Sequence, residues 1–469
     1  MTAAVDPRLA RALVPLQAAF VGANDLWLVG GAVRDVLLDR PLADWDLVTT
    51  GDAEQTARAY AKSVGAPVFP LSERHGAWRV VGEDHEVDIT GAPDGITADL
   101  LRRDLTINAI AVRVADGEMV AVPGALDDLE ERVLRVVSDS SFQDDPLRLL
   151  RLVRLSVELD LAVVPETVVL AQRDAALASE PAGERQRAEL ERILLSRDPV
   201  DGLRFLDQLG LLGVVLPEVK ALAAVEQNRY HHLDVLDHTL QVLDAATDLI
   251  EQPEFAFGAA APAVAAALSE PLDADCDVAL AVRWGALLHD IAKPYTRAEF
   301  ENGHIGFPGH AQQGAEMATA ILERMRYSSA MQKCVALLVR EHLRLGFLVP
   351  DGALDARAVH RYRVATEPWA LASVVVSLAD RWSTRGIRAR QRWIRRHEQL
   401  AIEMAQALAV PVPPPLIRGD TLAEAIGSEP GPAIGALLAQ IAEEQAAGTI
   451  ASESEAIAFA QSQPPAPTT

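Results

Sequence analysis

The chain has 469 residues, too many for one ordinary hydrophobic core, and this length predicts about two to four domains. Apolar residues make up 49% of it, yet no stretch approaches the roughly 18 uninterrupted apolar residues of a membrane-spanning helix. The formal net charge of −24 excludes a generally basic surface, so any binding of nucleic acid must depend on local clusters of arginine.

The N-terminal segment predicts a helix and not an export signal. Its apolar run is broken by Pro15 and follows Asp6-Pro7, a helix cap with proline at the first helical position. Cys276 and Cys334 form no C-x-x-C pair, so we expect small core residues and neither a disulfide framework nor a cysteine zinc site. These features predict a cytoplasmic protein.

The first 135 residues alternate strand-like and helix-like pieces, which is typical of a small mixed α/β domain. The predicted strands are residues 26–29, 45–49, 78–81, 86–90 and 107–114. From about residue 145 to 216, apolar residues recur every three or four positions and no convincing strand follows. An all-helical middle is therefore expected after the α/β head.

A second helical region is predicted from about residue 226 to 406. The Ala/Pro-rich stretch 259–267 interrupts it and indicates a long surface loop or a helix end. Residues 410–415 are rich in proline and predict a linker into a short helical segment. We expect residues 461–469 to be disordered.

A glycine pair stands where the first strand turns into a helix, in the string Leu28-Val-Gly-Gly-Ala-Val-Arg-Asp35. Glycines there let backbone N–H groups approach a phosphate, although an ordinary tight turn explains the pair alone better. Asp44 and Asp46 follow, and a period of two sends both carboxylates to one face of the next strand. Paired carboxylates repel each other unless a cation lies between them. Two Mg²⁺ ions held this way can bind triphosphate oxygens and activate a terminal 3′-hydroxyl.

Arginines form local clusters despite the negative total charge. On a helix, Asp145, Arg148, Arg151 and Arg154 would share a broad face, so a carboxylate and several guanidinium groups could meet one ligand. A salt-bridged amphipathic helix is the alternative. The acid-free run 381–396 is as typical of a solvated helix face as of an RNA contact.

Three motifs occur in a fixed order along the first part of the chain. They are Gly30-Gly31-x-x-Arg34-Asp35 with Asp44-x-Asp46, Arg102-Arg103-Asp104-Leu-Thr-Ile-Asn108-Ala109, and Asp144-Asp145-Pro-Leu-Arg148-Leu-Leu-Arg151-Leu-Val-Arg154. Together they closely resemble the motifs of the class II tRNA nucleotidyltransferase and poly(A) polymerase family. The resemblance implies template-independent addition of C, and of A, to the 3′ end of tRNA from CTP and ATP.

The resemblance also implies a role for each motif residue. Asp44 and Asp46 would be catalytic and would hold Mg²⁺. Asp145 and Arg148 would read the edge of the incoming base and select C or A, and Arg151 and Arg154 would contact its phosphates or sugar. The further nucleotide contacts would be Gly30, Gly31, Arg34 and Arg103.

Two departures from the family pattern keep alternatives open. Asp144 stands where the family usually has glutamate. Only eleven residues separate the strand 86–90 from Arg102, whereas many full CCA-adding members carry a longer flexible loop there. Members that add only two C residues are similar in lacking this loop, so CC-only addition is one alternative and poly(A) addition another. Asp88 is a candidate third carboxylate, although an exposed strand acid is as typical.

A second chemical centre is predicted downstream at His238, His289-Asp290 and Asp380. A lone histidine is usually structural, but an adjacent His-Asp pair on an apolar helix is costly to bury unless a metal or a partner compensates. The order of these residues resembles the ligand set of the HD phosphohydrolase superfamily, with His310 and His342 where two-metal members place extra ligands. Nitrogen and oxygen ligands favour Mn²⁺, Ni²⁺, Co²⁺ or Mg²⁺ over a structural zinc.

The second resemblance implies a phosphatase or cyclic phosphodiesterase that would repair the tRNA end. Arg418-Gly-Asp420 with Gly431-Pro432-x-Ile-Gly435 is similar to the tail of such proteins. A hydrolase or RNA-binding protein with an inactive head is a third alternative, which the presence of Asp44 and Asp46 disfavours.

We therefore predict a mostly helical protein that begins with an α/β head of the polymerase-β nucleotidyltransferase type. The head would comprise residues 1–135, the helical neck and RNA-binding body 136–225, the HD domain 226–406, and the linker, short helical tail and disordered end 407–469. The expected partners are tRNA, CTP and ATP and no membrane, and the sequence leaves the oligomeric state open.

Overall fold

The computed structural model describes residues 6–42, 44–72, 76–82, 86–226, 233–301, 305–349, 354–385 and 391–463. The chain divides into two compact units, Met1–Ser196 with Asp201–Val215 and Arg197–Val200 with Leu216–Thr469. The predicted α/β head followed by helices is confirmed, and the finer four-part division stays a prediction. None of the described helices has the length and apolar character that crossing a membrane requires.

The head is built on a mixed seven-stranded sheet in the order β3-β4-β5-β2-β1-β6-β7. The strands of the first unit are β1 Leu26–Val29, β2 Trp45–Thr49, β3 Val68–Ser72, β4 Ala77–Val81, β5 Glu86–Gly91, β6 Ile110–Arg113, β7 Met119–Ala121, and the short pair β8 Val133–Leu134 and β9 Ala162–Val163. Only β2 and β5 pair in parallel within the large sheet, and this register sets Asp46 beside Asp88. The carboxylates of two distant segments thereby reach one face of the sheet.

Most predicted strands are confirmed within a residue or two. The strand predicted at 107–114 begins instead with a 3-10 turn at Thr106–Asn108 and is extended only in β6. Four further strands of the first unit were not predicted from the sequence: β3, β7 and the short pair β8 and β9. The strand β9 lies in the middle region that was expected to be all-helical. β3 is an edge strand that contains Pro70 and leaves Phe69 and Leu71 exposed, so it lacks the alternating pattern of a half-buried strand.

The helix predicted at the N-terminus is present. The side chain of Asp6 caps it by accepting a hydrogen bond from the backbone N–H of Arg8 at 2.8 Å. Twelve α-helices lie between residues 7 and 220 of the described chain. They are α1 Pro7–Ala19, α2 Gly31–Leu37, α3 Ala53–Val64, α4 Ile96–Leu101, α5 Ala125–Glu130, α6 Ser141–Asp144, α7 Arg148–Leu159, α8 Pro165–Asp174, α9 Gly183–Leu194, α10 Pro199–Gln208, α11 Leu212–Val215 and α12 Pro217–Lys220. A 3-10 helix at Ala175–Ser179 follows α8.

The described part of the second unit consists of helices and one small two-stranded ribbon, formed by β10 Ala298–Glu299 and β11 Ile305–Gly306. Its helices are α13 Val235–Glu251, α14 Pro253–Phe257, α15 Ala261–Leu268, α16 Val278–Leu288, α17 Lys293–Thr296, α18 His310–Arg324, α19 Ser329–Glu341, α20 Arg344–Phe347, α21 Ala356–Thr366, α22 Ala370–Ser383 and α23 Gln391–Leu408. The loop expected at 259–267 is largely helical, because alanine favours helix and Pro262 stands in its first turn.

The C-terminal segment forms its own small core. It contains α24 Gly419–Ile426, α25 Pro432–Ala446 and α26 Glu453–Ser462, which bury Leu422 and Ala456 among other apolar residues. Residues 411–415 have no helix or strand, as expected for a linker. Disorder was predicted from residue 461, but α26 extends to Ser462, and residues 464–469 lie outside the described residues.

Candidate active sites

The glycine pair forms the turn between β1 and α2. Gly30 has a φ of 65° and precedes the first residue of the helix. A Cβ atom built on Gly30 would overlap Nη1 of Arg103. Two features therefore require glycine at position 30: its left-handed backbone conformation, and the guanidinium group of Arg103, which leaves no room for a side chain.

A network of hydrogen bonds and one ion pair joins the three sequence motifs. Arg34 Nη1 donates to Asn108 Oδ1 at 2.7 Å, and Asn108 Nδ2 donates to Asp104 Oδ1 at 3.0 Å. The other oxygen of Asp104 lies 2.8 Å from Arg151 Nε. Burial opposes ionisation of Asp104, but Arg151 and the bond from Asn108 hold its pKa below the usual value. Arg34 is buried and also pairs with Asp35, so its side chain links the first two motifs.

Three carboxylates of the head lie near the first residues of β2. Asp44 immediately precedes the strand, Asp46 lies within it, and Asp88 is the register partner of Asp46 on β5. Desolvation raises the pKa of Asp46; Arg103 opposes this shift and the neighbouring Asp88 and Asp44 reinforce it. This mutual repulsion is what a divalent cation between the carboxylates would relieve, so the residues fit such a site.

The partner of Asp88 is Arg79, which carried no signal in the sequence. Arg79 on β4 holds both oxygens of this carboxylate, with Nε and Nη2 each 2.8 Å away, and it also pairs with Glu86 at 2.6 Å. Both oxygens of Asp88 are thus engaged in a bidentate salt bridge, so Asp88 is less available than Asp44 or Asp46 to bind a metal ion. Only the strand register, which opposes Arg79 and Asp88, could have revealed this.

A cleft of about 260 Å³ brings residues of the second and third motifs together. Its lining comprises Asp99, Arg102, Arg103, Asp104, Asp145, Leu147, Arg148, Arg151 and Arg185. The helical face predicted for Asp145 is wrong in one respect, because Asp145 follows α6 in an extended conformation and α7 begins only at Arg148. Pro146 disfavours helical backbone at the residue before it. Asp145 nevertheless reaches the cleft.

Asp145 and Arg148 are each held by a different neighbour. Arg148 donates to the Ser141 carbonyl and hydroxyl at 3.2 and 3.1 Å and to the Arg102 carbonyl at 2.6 Å. Asp145 pairs with Arg185 of α9 at 3.1 Å. Arg185 carried no separate signal in the sequence, since an arginine on an amphipathic helix is usually a solvated surface residue.

Arg154 lies apart from this cleft. Its guanidinium is buried, with Nε 2.5 Å from Glu189 and Nη1 3.0 Å from Glu158. The bond to Glu189 ties α7 to α9, and the bond to Glu158 lies within α7, so the position of Arg154 gives no support to the predicted nucleotide contact. The alternative of a salt-bridged amphipathic helix describes this one residue well.

The predicted ligands of the second centre converge from five helices of the second unit and the turns at their ends. His238 lies on α13, His289-Asp290 follows α16, His310 begins α18, His342 follows α19, and Asp380 lies on α22. All except Asp380 and His310 are nearly inaccessible to solvent.

Asp290 stands between two groups of histidines. Its Oδ2 lies 3.1 Å from His289 Nε2 and 3.7 Å from His238 Nε2. Its Oδ1 lies 3.5 Å from His310 Nε2 and 4.0 Å from His342 Nε2. Each side thus forms a group of three atoms with metal-ligand spacing, within 4.8 Å of one another. Asp380 extends the first group, with Oδ1 3.1 Å from His238 Nε2.

The tautomers of three histidines fit a metal at this centre. The Nδ1 atoms of His289, His310 and His342 lie 2.7 to 2.8 Å from backbone carbonyl oxygens, so each Nδ1 carries the proton. Their Nε2 atoms then face the carboxylate of Asp290. Burial opposes protonation of His289, but Asp290 raises its pKa, and a metal bound there would take the place of the proton at Nε2. Burial lowers the pKa of His342 to about 4, which keeps its Nε2 lone pair available.

Lys293 adds a cation to this centre that was not predicted from the sequence. Its Nζ lies 2.6 Å from Asp290 Oδ2, one helical turn along the chain. Burial opposes ionisation of Asp290, but His289 and Lys293 hold its pKa well below the usual value. The carboxylate is therefore ionised, as a metal ligand must be.

The acid-free run 381–396, predicted as either a solvated helix face or an RNA contact, has no defined RNA site among the described residues. In the run 381–396, residues 386–390 lie outside the described residues, and Arg396 pairs with Glu403 at 3.2 Å. Tyr230 to His232, which precede the His238 motif, also lie outside them. Arg418 is exposed at the start of α24.

Family models match most of the chain. Residues 26–94 and 92–135 match the Poly A polymerase head domain, and residues 160–222 match the probable RNA and SrmB-binding site of polymerase A. Residues 235–385 match the HD domain.

Two known proteins with similar sequences match the chain along nearly its full length. An A-adding tRNA nucleotidyltransferase of Deinococcus radiodurans is 36% identical over 92% of this chain and 94% of its own. A CC-adding tRNA nucleotidyltransferase of Thermus thermophilus is 33% identical over 94% of each. The solved structure of the Thermotoga maritima CCA-adding enzyme complexed with tRNA has a TM-score of 0.62 at 21% identity, covering 97% of this chain and 95% of that one. That structure supports the fold alone.

Proposed function

The chain belongs to the tRNA nucleotidyltransferase and poly(A) polymerase family with an HD domain, and we propose that it adds C and A residues to the 3′ end of tRNA without a template. The network that joins Arg34, Asn108, Asp104 and Arg151 beside the carboxylates of β2 carries this proposal. It links the three motifs into one site with a metal-binding face and an arginine-lined cleft. Such a site suits a nucleoside triphosphate and the end of an RNA.

In this reaction the 3′-hydroxyl oxygen of the tRNA forms a bond to the α-phosphorus, and pyrophosphate leaves as its bond to that phosphorus breaks. We infer that Asp44 and Asp46 hold Mg²⁺, which when bound lowers the pKa of the hydroxyl and neutralises the triphosphate. Arg103 at the glycine turn and Arg151 in the cleft are positioned for phosphate or sugar contacts. Gly30 and Gly31 keep that turn accessible.

Hydrogen-bond complementarity explains how one protein surface selects both C and A. Cytosine and adenine each present an amino donor next to a ring-nitrogen acceptor, whereas uracil and guanine present a carbonyl acceptor next to an N–H donor. Asp145 accepts from the amino group and Arg148 donates to the ring nitrogen. A carbonyl of uracil or guanine would face the carboxylate and be repelled.

The segment between β5 and Arg103 bears on how many nucleotides the protein adds to tRNA. The segment after β5 is a turn followed by α4, and Asp99 of that helix pairs with Arg103 at 3.0 Å. This compact segment favours CC-only addition as the second candidate, while the similarity to an A-adding enzyme favours addition of A. We expect tRNA that lacks its end to gain two residues with CTP alone. Rapid use of ATP on tRNA ending in CC would exclude the CC-only candidate, and repeated A addition to any RNA would favour a poly(A) polymerase.

The HD domain is proposed to hydrolyse phosphoesters at the cluster around Asp290. The nitrogen and oxygen donors favour Mn²⁺, Ni²⁺, Co²⁺ or Mg²⁺, which when bound supplies hydroxide for the reaction. This chain's own contribution is to fix the histidine tautomers and to hold Asp290 ionised between them. We infer that the protein acts in the cytoplasm, where tRNA ends are processed and its two buried cysteines stay reduced.

A further inference from the structure

The acid-free run that begins near the end of α22 gives the second unit a local excess of positive charge. Residues 381–397 contain seven of the chain's 43 lysine and arginine residues and no aspartate or glutamate. The chain as a whole has a net charge of −24, so these arginines do not belong to a generally basic surface. A cluster of one sign on a protein of the opposite sign creates a local field that attracts a partner of complementary charge.

The first turns of α23 present part of this charge to solvent. The helix buries a face that contains Ile394, His397 and Leu400, and this packing fixes which residues point outward. Arg392 and Arg395 are both exposed. They lie three residues apart, so they are neighbours on the helix surface and can meet one ligand together.

No carboxylate of the described chain neutralises these two arginines. Within the residues that the structure describes, neither Arg392 nor Arg395 forms an ion pair. Arg58 of α3, which is also an exposed helix arginine, pairs with Glu54 at 2.8 Å. A purely solvated helix face usually carries pairs of opposite charge, whereas a block of unpaired like charges is typical of a surface that binds a charged partner.

An exposed tryptophan accompanies the arginines. Trp393 has 39% of its surface exposed, and the guanidinium carbon of Arg392 lies over its ring, 4.8 Å from the centroid. The indole ring supports the guanidinium plane through a cation–π contact and leaves its N–H groups able to donate. A guanidinium oriented in this way can donate two hydrogen bonds to one phosphate.

We infer that the surface formed by Arg392, Trp393 and Arg395 binds the phosphate backbone of tRNA. The inference rests on the proposed function, which makes tRNA the substrate, and it adds a contact outside both candidate catalytic centres. Backbone phosphates are reached from the protein surface without a cleft, and their recognition does not depend on the base sequence. The contact therefore contributes to the affinity for the RNA and takes no part in the chemical step.

The double variant Arg392→Ala/Arg395→Ala tests this contact in the full-length protein. Binding of tRNA that lacks its CCA end is measured without nucleotide, by fluorescence anisotropy over a series of salt concentrations. Kd should rise roughly tenfold at moderate salt, and the slope of log Kd against log salt should fall by about two, one for each lost phosphate contact. Arg392→Lys/Arg395→Lys keeps both charges and should retain the slope. In the extension reaction KM for tRNA should rise, while kcat and KM for CTP stay unchanged.

A matched control removes two positive charges elsewhere. Arg58→Ala/Arg361→Ala changes two exposed helix arginines that pair with Glu54 and Glu443, and it should leave the affinity for tRNA unchanged. An equal loss of affinity in this control would reveal a general effect of net charge and overturn the inference. An unchanged Kd and slope in the first double variant would also overturn it, and a simultaneous loss of self-association in sedimentation would assign the surface to a second copy of this acidic chain. Wild-type protein that shows the expected binding but adds no nucleotide would defeat the proposed function and leave the tRNA contact standing.

Discussion

Replacement of Arg148 by alanine should change which nucleotide the head accepts. The substitution removes the donor proposed to read the ring nitrogen of C and A. Asp145 is not left buried and unpaired, because its side chain is 37% exposed and Arg185 lies 3.1 Å away. The expected cost is therefore that of one base-reading contact, about 1 to 3 kcal/mol.

This free energy corresponds to a fall of roughly 5- to 150-fold in kcat/KM for CTP, because about 1.4 kcal/mol is a factor of ten. UTP never gains from the contact, so the ratio of kcat/KM for CTP over UTP should fall by a similar factor. Single-nucleotide extension of tRNA lacking its end, measured separately with CTP and UTP, gives both values. Thermal unfolding of the variant checks that it remains folded.

Arg103→Ala is the matched control within the same cleft. Arg103 lies against the glycine turn and pairs with Asp99, so its proposed contact is with phosphates that all nucleotides share. Its loss should raise KM for CTP and UTP together and leave their ratio unchanged. An Arg148→Ala enzyme with an unaltered ratio would refute base reading by this residue.

Three further variants test the remaining assignments. Asp46→Ala should abolish nucleotide addition while HD hydrolysis continues, and loss of both activities in a folded protein would contradict two separate centres. Asp290→Ala should lose bound metal, measured by elemental analysis, together with hydrolysis, but extend tRNA normally; unchanged hydrolysis would make the His-Asp pair structural. Arg154→Ala should destabilise the protein by about 3 to 5 kcal/mol in denaturant unfolding, because Glu189 is left buried and unpaired. A stable Arg154→Ala protein with a raised KM for CTP would instead restore its predicted nucleotide contact.

The sequence by itself determined the order of the motifs and the chemistry they require. The strands at 26–29 and 45–49, the capped helix after Asp6 and the helical second half follow from local patterns of apolar residues, glycine and proline. The resemblance of the ordered motifs to known families carried the main assignments, and the residue types agreed with it, because paired carboxylates and a buried His-Asp pair are both stabilised by a cation. Local signals of this kind need no knowledge of which distant segments meet.

Only the tertiary structure decided which side chains are partners. The parallel register of β2 and β5 places Asp46 beside Asp88. The antiparallel register of β4 and β5 places Arg79 opposite Asp88, where the two form a salt bridge. Packing of α7 on α9 buried Arg154, a residue with the same spacing as the arginines of the cleft. Convergence of helices far apart in sequence made Asp290 the link between two histidine groups. Hydrogen bonds and ion pairs form at about 3 Å, so they depend on strand register and helix packing, which sequence spacing does not specify.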